Sequence, residues 1–351
     1  MLNNLQNTTR IPDSPPLIVP VSDNHNRPLI SVMIPAYNCI QFLPEAIESV
    51  LEQDPGPDKM QIEVIDDCST DGDVEVLVQR LGKGRVGYFK QPHNKGSLRN
   101  FETCLNRAQG HWVHLLHGDD KVKKGFYKEI ENIFNKYPSA GAAFTRHTLM
   151  DDKGKEYFRI NPIVAEVDNK EGILDNWLMK IAQRNCLQPP AIVVKRCVYE
   201  QLGGFFAVHF GEDWEMWVRI ASKFPVAYSP KYLAVYRFHA SNITSNSFLS
   251  GQNIIDLKKV IGIIQNYLPE NQKKQLTEKA KKNTAEYFLR TARRVLHTYH
   301  YPKAAFVQAR GAVALYPNRK NFYEFAKLVC KAGIIVLSKS IKAISTLFSF
   351  L

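Results

Sequence analysis

From residue 29 onward the chain alternates short apolar runs with stretches whose apolar positions recur at helical spacing. LISVMIP (29–35) is a continuous apolar run of strand length. In FLPEAIESVLEQ, which follows, Phe42, Ala46, Ile47, Val50 and Leu51 share one helical face. The alternation continues with strand IEVIDD (62–67), helix VEVLVQRL (74–81), strand RVGYFKQ (85–91), helix SLRNFETCLNRA (97–108) and strand HWVHLLH (111–117). Elements alternating at this spacing predict a mostly parallel α/β sheet flanked by helices. After about residue 140 the pattern loosens, up to a Trp-rich helix EDWEMWVRIA (212–221) and an apolar run YLAVYRFH (232–239). From about residue 251 only helical spacing remains, in segments 253–268, 271–300 and 303–316.

Sheets of this kind bind ligands beyond the carboxyl ends of their strands, so the strand-end residues carry the chemistry. Here those ends are Pro35-Ala36-Tyr37-Asn38, Asp66-Asp67 and His117-Gly118-Asp119-Asp120. One apparent motif is set aside. Gly82, Gly84 and Gly87 match GxGxxG, but a helix precedes them and a strand follows. That is the reverse of the order a dinucleotide site needs, so the segment reads as a glycine-rich turn.

Charge divides the chain in two. Residues 251–351 carry 18 Lys and Arg against 5 Asp and Glu, whereas residues 1–250 carry 28 against 29. This supports an arm over 1–28, a catalytic-type domain over 29–250 and a basic helical region over 251–351, with partners of their own. The N-terminal residues have no charged head followed by an apolar run, so the arm reads as flexible rather than as a secretory signal. Six cysteines without a CxxC pair suit a reducing cytoplasm.

Carboxylates gathered at strand ends and helix starts can hold a cation, accept a hydrogen bond from a polar ligand, or take a proton. Asp119 and Asp120 are adjacent hard oxygen ligands at a strand end, suited to Mn2+ or Mg2+; the same residues could equally cap the next segment. Asp66-Asp67 could meet a base N–H or shape an Asx turn, and Tyr37 could stack on a base or simply pack. Glu212 and Asp213 open the Trp-rich helix, where its dipole favours an ionised carboxylate. Trp214 and Trp217 fit either core packing or a platform for sugar rings.

The series ISVMIPAYN, IEVIDDCSTDGD, NKGSLRN, HWVHLLHGDD, LGGF, GEDWEMWVRIA and YRFH resembles the inverting family 2 glycosyltransferases over about residues 29–245. The resemblance implies a GT-A, Rossmann-like fold and single displacement from a nucleotide-sugar, usually a UDP-sugar, onto a hydroxyl of a glycan or lipid-linked acceptor. It places Pro35, Tyr37, Asp67, Arg99 and Asp119 on the nucleotide-sugar, with Asp119, Asp120 and His239 on the metal. Asp213 becomes the catalytic base, with Glu212 and Trp214 on the acceptor side. Many members carry an aspartate where this chain has His117, which bears on donor identity.

The last segment, 331–351, sets Ile334, Leu337, Ile341, Ile344, Phe348 and Leu351 on one helical face, with lysines interrupting it. It is too interrupted for a membrane span. It suits an interfacial helix on an anionic surface at the inner face of the membrane, or a helix docked on the body. A non-catalytic carbohydrate-binding or scaffold protein is the alternative on the same fold, and Asp119, Asp120 and Asp213 together speak against it. Nucleic acid is not an expected partner, because the basic region lacks a groove-reading motif or interleaved aromatics.

Overall fold

The computed structural model describes residues 10–22, 26–158, 170–239, 242–298 and 300–332. The chain divides into two compact units. The first runs to Ile181 and resumes over Asn185–His239; the second takes Ala182–Arg184 and the chain from Ala240 on.

The first unit is built on ten strands: β1 (Ile30–Ala36), β2 (Met60–Asp66), β3 (Gly87–Lys90), β4 (Trp112–Leu115), β5 (Lys121–Val122), β6 (Ala142–Met150), β7 (Glu156–Tyr157), β8 (Gly172–Ile173), β9 (Ile192–Lys195) and β10 (Val226–Arg237). Their order is β3-β2-β1-β4-β9-β6-β10-β5, with β7 on β6 and β8 on β10. β1 to β4 pair in parallel, as do β6 and β10, while β9 runs antiparallel between β4 and β6. β1 is buried at every position, as expected of a strand covered on both faces.

Register explains why the three polar strand ends meet. Ala36 lies opposite Asp66, and Met33 opposite Leu115. Beyond β4 the chain stays on β1, with Leu116 N–H donating to Met33 and Gly118 N–H to Pro35. Helices α1 (Leu43–Leu51), α2 (Val74–Gly82) and α3 (Ser97–Arg107) follow the first three strands. α4 (Phe126–Lys136), α5 (Trp177–Ile181), α6 (Arg196–Leu202) and α7 (Glu212–Ala221) belong to the same unit. α2 starts on Asp73, whose side chain accepts from Val76 N–H, and ends through Lys83 in the left-handed region. β3 begins only at Gly87, so the glycine run is a helix-to-strand turn.

Residues 10–22 are a departure from the flexible arm expected of the sequence. Pro12 and Pro16 carbonyls accept from Ala207 and Gly204 N–H, Arg196 donates to the Val19 carbonyl, and Ile18 is fully buried. Backbone hydrogen bonds of this kind need no side-chain pattern, so the sequence gives no sign of them.

The second unit contains α8 (Ile243–Ser250), α9 (Gln252–Ile264), α10 (Glu270–His297) and α11 (Pro302–Leu315). Alanines 304, 305, 309 and 312 are buried along α11, and Phe288, Ala292, Val295 and Leu296 along α10. Asn253 and Gln308 exchange amide hydrogen bonds of 3.0 and 2.7 Å in this interior, satisfying both buried groups. Among the described residues no helix is long and apolar enough to cross a membrane. The amphipathic face expected over 331–351 lies outside the described residues from 333 on.

Candidate functional site

Gly118 brings the end of β4 close against β1. A Cβ there would stand 2.8 Å from Cys39 Sγ and 3.4 Å from the Pro35 carbonyl, so no larger residue fits without a shift. This close approach sets His117, Asp119 and Asp120 together, with one ligand atom of each lying within 4.8 Å of the others.

Each aspartate is held from β10 and the residues after it. Arg237 N–H donates to Asp120 Oδ1 at 2.8 Å, while the Arg237 Nε donates to the Asp119 carbonyl at 2.9 Å. The buried guanidinium also lies 2.8 Å from Glu45 Oε1 and over the Phe42 ring at 4.6 Å. His239 Nε2 meets Asp119 Oδ2 at 2.9 Å, with its ring 4.7 Å from Phe42. Burial would raise the Asp119 carboxyl, but the His239 hydrogen bond and the neighbouring imidazoles hold it below its ordinary value. Burial, followed by the charge of Asp119, pushes Asp120 well up.

Asp120 Oδ2 is buried without a hydrogen-bond partner among the described residues. Two carboxylates, one of them with an orphaned buried oxygen, and an imidazole form a donor set that fits a divalent cation. His239, expected on the metal, stands beside this group with its Nε2 on Asp119 Oδ2.

His117 belongs to the cation group and also lines a pocket with Asp213, Glu212, Trp217, Phe101 and Phe205. Its ring stacks on Phe101 at 5.1 Å and 14°. Burial pushes the imidazole down from its ordinary value, favouring the neutral form.

Asp213 sits in the first turn of α7, beyond Gly211 in the left-handed conformation. Its Oδ1 accepts from Trp214 N–H at 2.7 Å, and its Oδ2 from Asn185 Nδ2 at 2.8 Å. Burial raises its pKa to about 6, against the opposing effect of these hydrogen bonds. A carboxylate near 6 is ionised at neutral pH and still basic enough to accept a proton. Glu212 lines the same pocket. Trp214 and Trp217 are both buried: Trp214 Nε1–H donates to the Ile181 carbonyl at 2.7 Å, and Trp217, one turn further on, borders the pocket.

On the other side of β1, Tyr37 is half exposed just past the strand and Pro35 is buried within it. Asp67 is buried with both oxygens occupied, Oδ1 accepting from Lys95 N–H at 2.7 Å and Oδ2 from Gly96 N–H and Asn94 Nδ2 at 2.8 and 3.0 Å. Burial raises its pKa despite these donors. The carboxylate therefore fixes the 94–96 loop at the rim of the strand ends. Arg99, on α3, pairs with Glu102 at 2.7 Å.

Sequence reasoning did not single out Asn185 or Arg237, nor His117 as part of the cation group. Arg237 lay within the quoted YRFH run, and His117 within HGDD. Asn185 has no local signal, since it stands in an aperiodic segment.

Residues 31–194 match the family described as Glycosyl transferase family 2. The putative teichuronic acid biosynthesis glycosyltransferase TuaG of Bacillus subtilis is 28% identical over 228 residues, covering 63% of this chain and 84% of that one. Among solved structures, S. aureus TarS 1-349 in complex with UDP-GlcNAc aligns over 89% of this chain and 92% of its own, with a TM-score of 0.62 and 15% identity. The mannosyltransferase PcManGT of Pyrobaculum calidifontis, in complex with GDP-Man and Mn2+, aligns over 99% and 89%, with a TM-score of 0.55 and 18% identity. At these identities the two structural likenesses are likenesses of fold.

Proposed function

We propose that this chain, which is a family 2 glycosyltransferase, moves a sugar from a nucleotide-sugar onto an acceptor hydroxyl by a single, inverting displacement. The observation that carries the mechanism is Asp213: a half-buried carboxylate with a pKa raised to about 6, in a pocket shared with His117. The structural neighbours support the donor class, since one is bound to UDP-GlcNAc and another to GDP-Man with Mn2+.

Asp213 takes the proton of the acceptor hydroxyl as the oxygen attacks the anomeric carbon from the face opposite the diphosphate. Asn185 keeps the carboxylate turned toward the pocket by occupying Oδ2. Pro35 and Tyr37 line the place for the base, and Asp67 shapes it through the 94–96 loop. Asp119 and Asp120 would hold a divalent cation, which would supply charge to offset the departing diphosphate. Trp217 and Phe205 form the apolar side of the pocket beside Asp213. The name of TuaG favours a glycan as acceptor, and the basic C-terminal region favours an anionic or membrane-associated one.

The decisive experiment is a donor screen. UDP-, GDP- and dTDP-linked sugars are offered with Mn2+, with Mg2+ and after exhaustive chelation, and nucleoside diphosphate release is followed. Release from one nucleotide class, lost on chelation and restored by cation, is expected. Full turnover in the chelated enzyme would remove the cation from the mechanism, and no binding of any nucleotide-sugar would favour the scaffold alternative.

A further inference from the structure

The side chain at position 117 has no task in the mechanism so far, yet it occupies the centre of the site. One ligand atom of His117 lies within 4.8 Å of one from each of Asp119 and Asp120. No hydrogen bond to either ring nitrogen occurs among the described residues, and Phe101 stacked at 5.1 Å and 14° fixes the plane of the ring. Asp120 Oδ2, buried and without a partner, is the independent sign that this group closes around a ligand. We propose that His117 is a nitrogen ligand of this centre and sets its metal preference, drawing it toward manganese or cobalt and away from magnesium. The inference rests on the cation reading above.

Three observations support the assignment. First, magnesium demands oxygen ligands in near-ideal octahedral geometry, so an imidazole in the ligand set counts against it. Second, first-row transition ions accept imidazole readily, with affinity rising from manganese to cobalt. Third, His239, the other imidazole close by, has its Nε2 on Asp119 Oδ2 and is already committed. With histidine at 117, the group holds two carboxylates among the described residues, which lowers its pull on a hard dication relative to a site of three.

The test uses the full chain with Mn2+ or Mg2+ as probe, in the presence of UDP. Mn2+ binding is measured from the loss of the free-ion electron paramagnetic resonance signal, and Mg2+ by competition. Directly bound nitrogen is read by electron spin-echo modulation from 14N. Wild type is expected to prefer Mn2+ and to show imidazole modulation, which His239→Gln retains at saturating Mn2+. His117→Asp should abolish the modulation and lower the Mn2+/Mg2+ affinity ratio by about tenfold or more, in the range seen when metal-site partners are changed. His117→Asn, smaller in its electrostatic effect, should lose the modulation as well and guards against a misfolded aspartate variant.

Modulation that survives in both His117 variants, or disappears only in His239→Gln, would overturn the assignment. An unchanged Mn2+/Mg2+ ratio in His117→Asp would do the same. Asp120→Asn separates this result from failure of the cation reading. If it abolishes Mn2+ binding while the His117 variants bind as wild type, the centre stands and His117 has no part in it. If wild type binds neither ion with UDP present, both the centre and the inference fail.

Discussion

Asp119 Oδ2 and His239 Nε2 lie 2.9 Å apart across 120 residues of sequence, joining the loop after β4 to the end of β10. The bond leaves Asp119 one oxygen for a cation and fixes its direction. His239→Gln is expected to weaken Mn2+ and donor binding together by about 10–100-fold, with little change in thermal unfolding. Calorimetric titration of Mn2+ and UDP reads both. Wild-type affinity in the variant would show that Asp119 needs no such orientation.

The sheet and its order of helices were legible because buried parallel strands write themselves as unbroken apolar runs. LISVMIP became β1, and IEVID lies within β2, with every residue from Ile62 to Asp66 buried. Asp119, Asp120 and Asp213 were legible because strand ends and helix starts confine where polar chemistry can stand. Contacts made at long range were not. Arg237 N–H reaches Asp120 from 117 positions away, through a backbone group that any residue other than proline carries. Asn185 meets Asp213 from an aperiodic loop. Trp214 and Trp217 share a helix three residues apart and are both buried, and their different neighbours, the Ile181 carbonyl for one and the pocket beside Asp213 for the other, are set by tertiary packing rather than by periodicity.

Asp67 offers a test of whether it meets the nucleotide base or shapes the loop. Its two oxygens accept three N–H donors from residues 94–96. Asp67→Asn would set an amide donor against one of these groups and leave a buried N–H unmatched. A stability loss of about 1–3 kcal/mol is expected, with weaker UDP binding following from the displaced loop. Thermal unfolding and UDP titration should therefore change together. Weaker UDP binding at unchanged melting temperature would instead assign Asp67 a direct contact.

The hydrogen bond from Asn185 to Asp213 gives the proposed base a test in pH dependence. Its Nδ2 bond stabilises the ionised Asp213 carboxylate and so lowers a pKa that burial raises to about 6. A base must be ionised, so kcat/KM should fall with decreasing pH through about 6 in the wild type. Removing the donor in Asn185→Ala raises the pKa further, and the acid limb should move to higher pH. Near pH 8.5, where Asp213 is ionised in both enzymes, the difference should shrink. A variant that is slower by the same factor at every pH would mean that Asn185 acts on position alone.

Asp213 can be separated from donor binding by one substitution. Asp213→Asn keeps the size of the side chain and an oxygen that can accept from Trp214 N–H, but cannot take a proton. The base acts on the acceptor, so UDP-sugar affinity should stay within a few-fold while transfer falls by about 10²–10⁴-fold. Stability gives a second, independent sign. The folded-state pKa lies above the ordinary carboxylate value of 3.8, so the ionised form is less favourable in the folded protein than in the unfolded chain. The stability associated with this group is therefore fully present below pH 3.8 and is lost as pH rises through about 6. A neutral amide escapes that pH-dependent loss, although its NH2 faces Asn185 Nδ2 and costs some stability at every pH. The melting temperature of Asp213→Asn relative to wild type should therefore be higher at pH 8 than at pH 4. A difference that does not change between pH 4 and pH 8, together with lost transfer, would mark Asp213 as a structural anchor of the α7 start. Normal transfer in a stable variant would pass the role of base to Glu212, which lines the same pocket.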